Sequence, residues 1–117
     1  MVIQQGDVVW VNLPGARGSA PAGRRPALVL QHDRFNRTRI NTTVIVAITS
    51  NLKYGALPGN MRLRRGEGGL PRPSVINVTQ IATVDRGDVE SVAGHLSQSR
   101  LAELWAGVRL VLEPSAA

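Results

Sequence analysis

The sequence predicts a mainly β fold: a small, strongly bent antiparallel sheet or barrel finished by one C-terminal helix. Three observations carry this. Short β-rich runs recur between clusters of Gly, Pro, Asn and Ser from Gly6 to Asp85. The period then changes, and Leu101, Leu104, Trp105, Val108, Val111 and Leu112 form one stripe at helical spacing. The 117 residues suit one domain (1–117) with one core, and no internal repeat or interdomain linker divides them.

Each element follows in order. "GDVVWVNL" (Gly6–Leu13) alternates as a strand, with Val9, Val11 and Leu13 on one face and Val8 and Trp10 on the other. A loop rich in Gly, Ala, Pro and Ser follows from Pro14 to Arg25, long enough to be functional. "PALVLQ" reads as a short buried strand, and "HDRFNRTRIN" as one helical turn or a loop. "TTVIVAITS" is the strongest strand and is expected at the centre of the sheet. "NLKYGALPGN" is a second loop. "MRLRR" alternates as an exposed strand, and "GEGGLPRP" is a breaker-rich turn. "SVINV" and "QIATVD" are two short strands or one bent strand. Ser97 caps the helix and Pro114 stops it.

Composition narrows the function. The chain has no cysteine, which excludes disulfides and thiolate metal sites. Its longest aliphatic run, Val44 to Ile48, is far short of a membrane span. The N-terminal stretch "MVIQQGDVVW" lacks the features of a signal peptide, so a cytoplasmic protein without membrane partners is expected. The net charge of +6 favours an anionic partner, and thirteen of the fourteen basic residues are arginine, whose planar fork pairs with phosphates and carboxylates. A codon-level preference would account for the arginine-to-lysine ratio but not for the net charge. Aromatics are confined to Trp10, Phe35, Tyr54 and Trp105, which argues against stacking successive bases on an aromatic platform.

The chemical constellations are sparse. His32 and His95 lie far apart, with no cysteine or repeated carboxylate at metal-ligand spacing, so no metal and no cofactor is expected. "GEGG" (Gly66–Gly69) lacks the Lys-Ser/Thr of a phosphate loop and reads as a turn. Ser19, Ser50 and Ser74 do not assemble into a Ser-His-acid triad. Arg25 stands apart because it precedes Pro26, which pushes it to extended geometry as the chain enters "PALVL". An arginine held this way can clamp a phosphate through two hydrogen bonds. Thr49 ends the strongest strand. If the two strands pair, Arg25 and Thr49 lie at one end of one sheet.

Four stretches in order carry a resemblance: "GDVVWVNL", "GRRPALVLQ" preceded by Gly18–Ser19, "VAITSN" and "SVINVTQIATVD". Together they resemble the MazF/PemK toxins, the endoribonucleases of bacterial toxin–antitoxin pairs, over nearly the whole chain. The resemblance implies an SH3-like barrel with a C-terminal helix, working as a homodimer. It also implies metal-independent, sequence-specific cleavage of single-stranded RNA. The family's catalytic arginine matches Arg25 and its catalytic threonine matches Thr49. Its RNA-contacting loop serine matches Ser19 and its strand glutamine matches Gln80. Arg17, Arg24 and Ser50 are expected to add contacts to RNA. Two positions depart from the family pattern: Ala20 stands where Glu is frequent, and Thr79 where an acidic residue precedes the glutamine. Both bear on the cleavage sequence more than on activity.

RNA brings its own nucleophile, the 2′-hydroxyl, which agrees with the missing triad. The expected products are a 2′,3′-cyclic phosphate and a 5′-hydroxyl. His32, an arginine or a water are all open as general base. A toxin of this kind implies a cognate acidic antitoxin, like MazE, drawn to the same cationic surface. Two other functions fit parts of the pattern: a gyrase-poisoning toxin like CcdB, and a basic module that holds nucleic acid without cutting it.

Overall fold

The alternating valines at the start of the chain form β1 (Asp7–Leu13), and both of its faces carry buried residues, with Trp10 half-buried and Asn12 exposed. The computed structural model describes residues 1–13 and 23–116. After β1 come β2 (Gly23–Val29), the single-turn helix α1 (Asp33–Asn36), β3 (Thr42–Thr49), β4 (Met61–Leu63), β5 (Ser74–Asp85), β6 (Val89–His95) and α2 (Gln98–Leu112). Three 3₁₀ turns, Leu52–Ala56, Glu67–Gly69 and Arg86–Asp88, join strands. The strands form one antiparallel sheet in the order β4-β5-β3-β2-β1-β6, curled into a half-barrel.

The two-sided pattern of β1 explains the core. Val8, Leu28, Val46, Ile48, Ile76 and Val78 pack with Leu101, Leu104 and Val108 of α2 in the larger cluster. The opposite face buries Ile3, Val9, Val11, Leu13, Ala27, Val29, Ile45, Val84 and Val89 in a second cluster. Each fully buried aliphatic, such as Leu104, stabilises the fold by about 2 kcal/mol.

Several expectations change. The loop expected to run to Arg25 stops earlier, because β2 starts at Gly23 and pairs with β1 from Leu13↔Gly23 onward. Pro26 therefore lies inside a strand, one residue outside the pairing of β2 with β3, which begins at Ala27↔Ala47. "SVINV" and "QIATVD" form one continuous bent strand, β5. The bend is a shift of register between Ile48↔Ile76 and Val46↔Ile81. β6 had no counterpart in the sequence reading, because "VESVAGH" buries only Val89 and shows little alternation. The stripe of α2 ends early: Leu101, Leu104 and Val108 are buried, but Val111 and Leu112 are 40% and 65% exposed. The Ser97 cap holds, its Oγ accepting the Arg100 N–H at 3.3 Å.

The "GEGG" turn joins the two edges of the curled sheet. Its 3₁₀ turn lies against β6, with backbone on backbone. Gly69 has φ +78°, and a Cβ there would overlap the Ala93 carbonyl oxygen. Glu67 in the same turn anchors α2: Arg100 Nε donates to its Oε2 at 2.7 Å and Arg100 Nη2 to its Oε1 at 3.2 Å. Burial pushes the Glu67 carboxyl up. The Arg100 hydrogen bond, the Arg64 N–H and both guanidinium charges outweigh burial and hold it below its ordinary value of 4.5.

Two predictions follow from this seam. Gly66→Ala, at φ +85° but in open space, should cost about 1 kcal/mol. Gly69→Ala adds the overlap with Ala93 and should cost more than about 3 kcal/mol, measured by urea denaturation. Equal losses would mean that the seam is loose. A depressed folded-state pKa stabilises above the unfolded value, and that contribution is lost as pH falls through the folded value. Glu67→Gln should therefore start less stable at neutral pH and show a shallower loss of stability below pH 4.5 than the parent protein, in denaturation curves across acid pH.

Candidate active site

The antiparallel order brings one end of five strands together. Leu13 ends β1, Gly23 starts β2, Thr49 ends β3, Leu63 ends β4 and Ser74 starts β5, all at the same end of the sheet. β2 and β3 pair through Ala27↔Ala47, Leu28↔Val46 and Val29↔Ile45. Carried two residues further, the same register sets Arg25 across from Thr49. The ladder ends before it reaches them, so both stand beyond the last rung.

Alternation assigns them to one face. Ala27, Val29 and Ile45 belong to the second core cluster, and Arg25 and Thr49 follow at the same parity. Gln80 joins them: β5 bulges opposite Ala47, and Gln80, half-buried, falls at the parity of Val84 in that cluster. The bulge is held by two asparagines. Thr79 donates to Asn77 Oδ1 through N–H at 3.2 Å and Oγ1–H at 2.7 Å. Asn60 donates to the same oxygen at 3.3 Å and accepts the Val78 N–H at 2.9 Å. Thr79, a departure from the family pattern, is thus a partner within the bulge that carries Gln80. The sequence reading missed Asn60 and Asn77, although an asparagine inside the apolar run "SVINV" is a signal for a buried hydrogen-bond acceptor.

Arg24 and Arg25 part company. Arg24 takes the other face, its guanidinium 4.3 Å from the centre of the Trp10 ring and 3.6 Å from Glu90. Arg25 is exposed. Thr49 is half-buried, and its Oγ1 accepts the Asn51 N–H at 3.1 Å. That bond uses one lone pair and leaves the hydroxyl proton available for an acceptor. Asn51 Oδ1 accepts the Lys53 N–H at 3.2 Å, fixing the turn, and Ser50 between them is exposed. The expected roles of Arg17 and Ser19, and the Ala20 departure, lie outside the described residues.

His32 lies at the far end of β2, roughly 20 Å along the chain from Arg25. Its Nδ1 accepts the Arg34 N–H at 3.0 Å and caps α1. His95 Nδ1 is 2.8 Å from Asp7 Oδ1. Among the described residues, no three His, Cys, Asp or Glu side chains are grouped, and no helix is long and apolar enough to cross a membrane. The exposed bases at the shared end are numerous: Arg24, Arg25, Lys53, Arg62, Arg64, Arg65 and Arg72.

The family model of PemK-like, MazF-like toxins of type II toxin–antitoxin systems matches residues 4–112. The chain is 41% identical over 113 residues to Endoribonuclease MazF6 of Mycobacterium tuberculosis, covering 97% of the chain and 99% of that relative. It is 33% identical to Endoribonuclease EndoA of Bacillus subtilis over 86% of each. Among solved structures, MazF from Deinococcus radiodurans matches with a TM-score of 0.81 at 24% identity, covering 97% of this chain and 99% of that one. A MazE–MazF structure from the same organism matches at 0.74 and 26% identity, covering 98% of this chain and all of the other. A half-barrel with this strand order, a terminal helix and a full-length family match lead to one conclusion: the chain belongs to the PemK-like, MazF-like toxins of type II toxin–antitoxin systems.

Proposed function

We propose that this chain is the toxin of a toxin–antitoxin pair, a metal-independent endoribonuclease that cuts single-stranded RNA at a short recognition sequence and so inhibits translation and growth. The chain acts as one domain, in a cytoplasmic homodimer, and a cognate acidic antitoxin like MazE restrains it. The observation that carries the reading is the β2–β3 register, which directs Arg25 and Thr49 to one face at one end of the sheet.

The chemistry needs little else. The substrate's 2′-oxygen attacks the neighbouring phosphorus and the bond to the 5′-oxygen breaks, giving a 2′,3′-cyclic phosphate and a 5′-hydroxyl. Arg25 supplies fixed positive charge to the phosphoryl oxygens as negative charge builds on them. The Thr49 hydroxyl, already accepting from Asn51, donates its proton in a hydrogen bond to a phosphate oxygen and orients the reacting group. Gln80, Ser50 and, in the loop, Arg17 and Ser19 contact the flanking nucleotides, with Arg24 contributing from the opposite face. His32 is excluded as base by its distance and its capping bond. A water takes the proton from the 2′-hydroxyl, because a guanidinium has no acceptor to offer, and solvent returns a proton to the departing 5′-oxygen.

Arg25→Ala should lower single-turnover cleavage of a labelled RNA by roughly 10²–10³, and Thr49→Ala should impair it, both in excess EDTA. Full activity in both folded variants would remove the assignment. His32→Ala should keep the cleavage rate and its pH profile while lowering the thermal midpoint, because it loses only a cap worth about 1 kcal/mol. A lost alkaline or acidic limb in that profile would restore His32 as the proton acceptor.

A further inference from the structure

Beyond Thr49 the functional end continues onto the outer strands. Thr49 pairs with Val75, and Val75 with Arg62, so one row crosses β3, β5 and β4 on the face that carries Arg25. Val75 is fully buried in this row, and the 3₁₀ turn Leu52–Ala56 packs over β5 and β4. The turn rests on Arg62. A Cβ on Gly55 would sit 2.6 Å from Arg62 Nε, and Arg62 Nη2 donates to the Leu52 carbonyl at 3.4 Å. Next to it opens a depression lined by Leu52, Arg62, Arg64, Pro73 and Ser74, with Arg100 at its wall.

The charges in this depression are unequal. Arg100 is engaged by Glu67 and, through Nη1 at 2.8 Å, by Glu103. Residues 61–73 hold four arginines, Arg62, Arg64, Arg65 and Arg72, all exposed, and one acid, Glu67, which Arg100 already engages. Ser74 Oγ donates to the Arg72 carbonyl at 3.0 Å and holds the turn that forms the rim.

We infer that this depression is a second phosphate subsite, in which Arg62 and Arg64 hold the backbone of an RNA segment flanking the cut. The inference rests on the RNA-cleaving reading and extends it from the scissile step to a track across the sheet end. RNA is favoured over an acidic protein segment because the row is continuous with Thr49, which the cleavage reading sets at the scissile phosphate, so a strand held there runs on into the depression. Arg64 holds the phosphate by charge and fork. Arg62 holds it while also shaping the loop after Thr49.

The test compares the shortest RNA the protein cleaves with the same RNA extended at either end. Its companion is binding of a fully 2′-O-methylated extended RNA, which carries no nucleophile, across a salt series. In the parent protein, extension on one side should lower KM several-fold. Arg64→Gln should abolish that gain, leave cleavage of the short RNA at saturation unchanged, and reduce the slope of log affinity against log salt by about 0.7, one phosphate contact. Arg64→Lys should restore the slope. Parent-like KM and salt slope in Arg64→Gln would overturn the inference, as would a variant that loses only antitoxin binding. Failure of the parent protein to cut any RNA would overturn the cleavage reading alone, because the methylated RNA still reports the subsite.

Discussion

The candidate site depends on how β2 lies against β3. Three rungs, Ala27↔Ala47 to Val29↔Ile45, set the register, and they sit in a sheet buried on both faces. A slip of one residue would exchange the two faces and bury the wrong side chains throughout. The energetics of the core therefore hold the geometry of the site: Ala27, Val29 and Ile45 cannot leave the second cluster without carrying Arg25 and Thr49 with them. The ladder then stops where Pro26, with no N–H to donate, enters β2. Arg25 and Thr49 thus stand beyond the last β2–β3 rung, while each is still held by its other neighbour, Val11 for Arg25 and Val75 for Thr49.

The two clusters divide the work. The larger one binds α2 to the sheet, and its Glu67–Arg100 clamp joins the helix to the turn that closes the curl. The smaller one lies on the face that carries Arg25 and Thr49. Helix docking and the candidate site thus take opposite sides of the same strands. A pair of asparagines, one buried and one half-buried, completes the sheet. Asn77 and Asn60 sit where β5 must bend, and their hydrogen bonds replace the ladder bonds that the bulge breaks.

Much of this was legible in the sequence, for identifiable reasons. "TTVIVAITS" is a strong β former over eight strand residues and takes a central place in the sheet. The helix announced itself through Ser97 and the spacing of Leu101, Leu104 and Val108. The strand-end logic expected Arg25 and Thr49 at one end of one sheet, and the register sets them on one face there. What could not be read depends on contacts distant in sequence. β6 has little apolar alternation because β1 and the glycine turn cover it, not its own pattern. The role of Glu67 needs Arg100, thirty-three residues on. The early end of the helical stripe depends on how far the sheet extends beneath it, which periodicity does not report.

Arg24 adds a consequence of its own. Stacked on Trp10 and tied to Glu90, it pins the start of β2 to β1 and β6 from the face opposite Arg25 and Thr49. The phase of β2 is thereby set by its neighbours in the sheet and is independent of how many residues connect it to β1. Because closing a longer loop costs little extra, a change in the number of residues between β1 and β2 would leave the three rungs of β2 on β3, and with them the relative positions of Arg25 and Thr49, as they are.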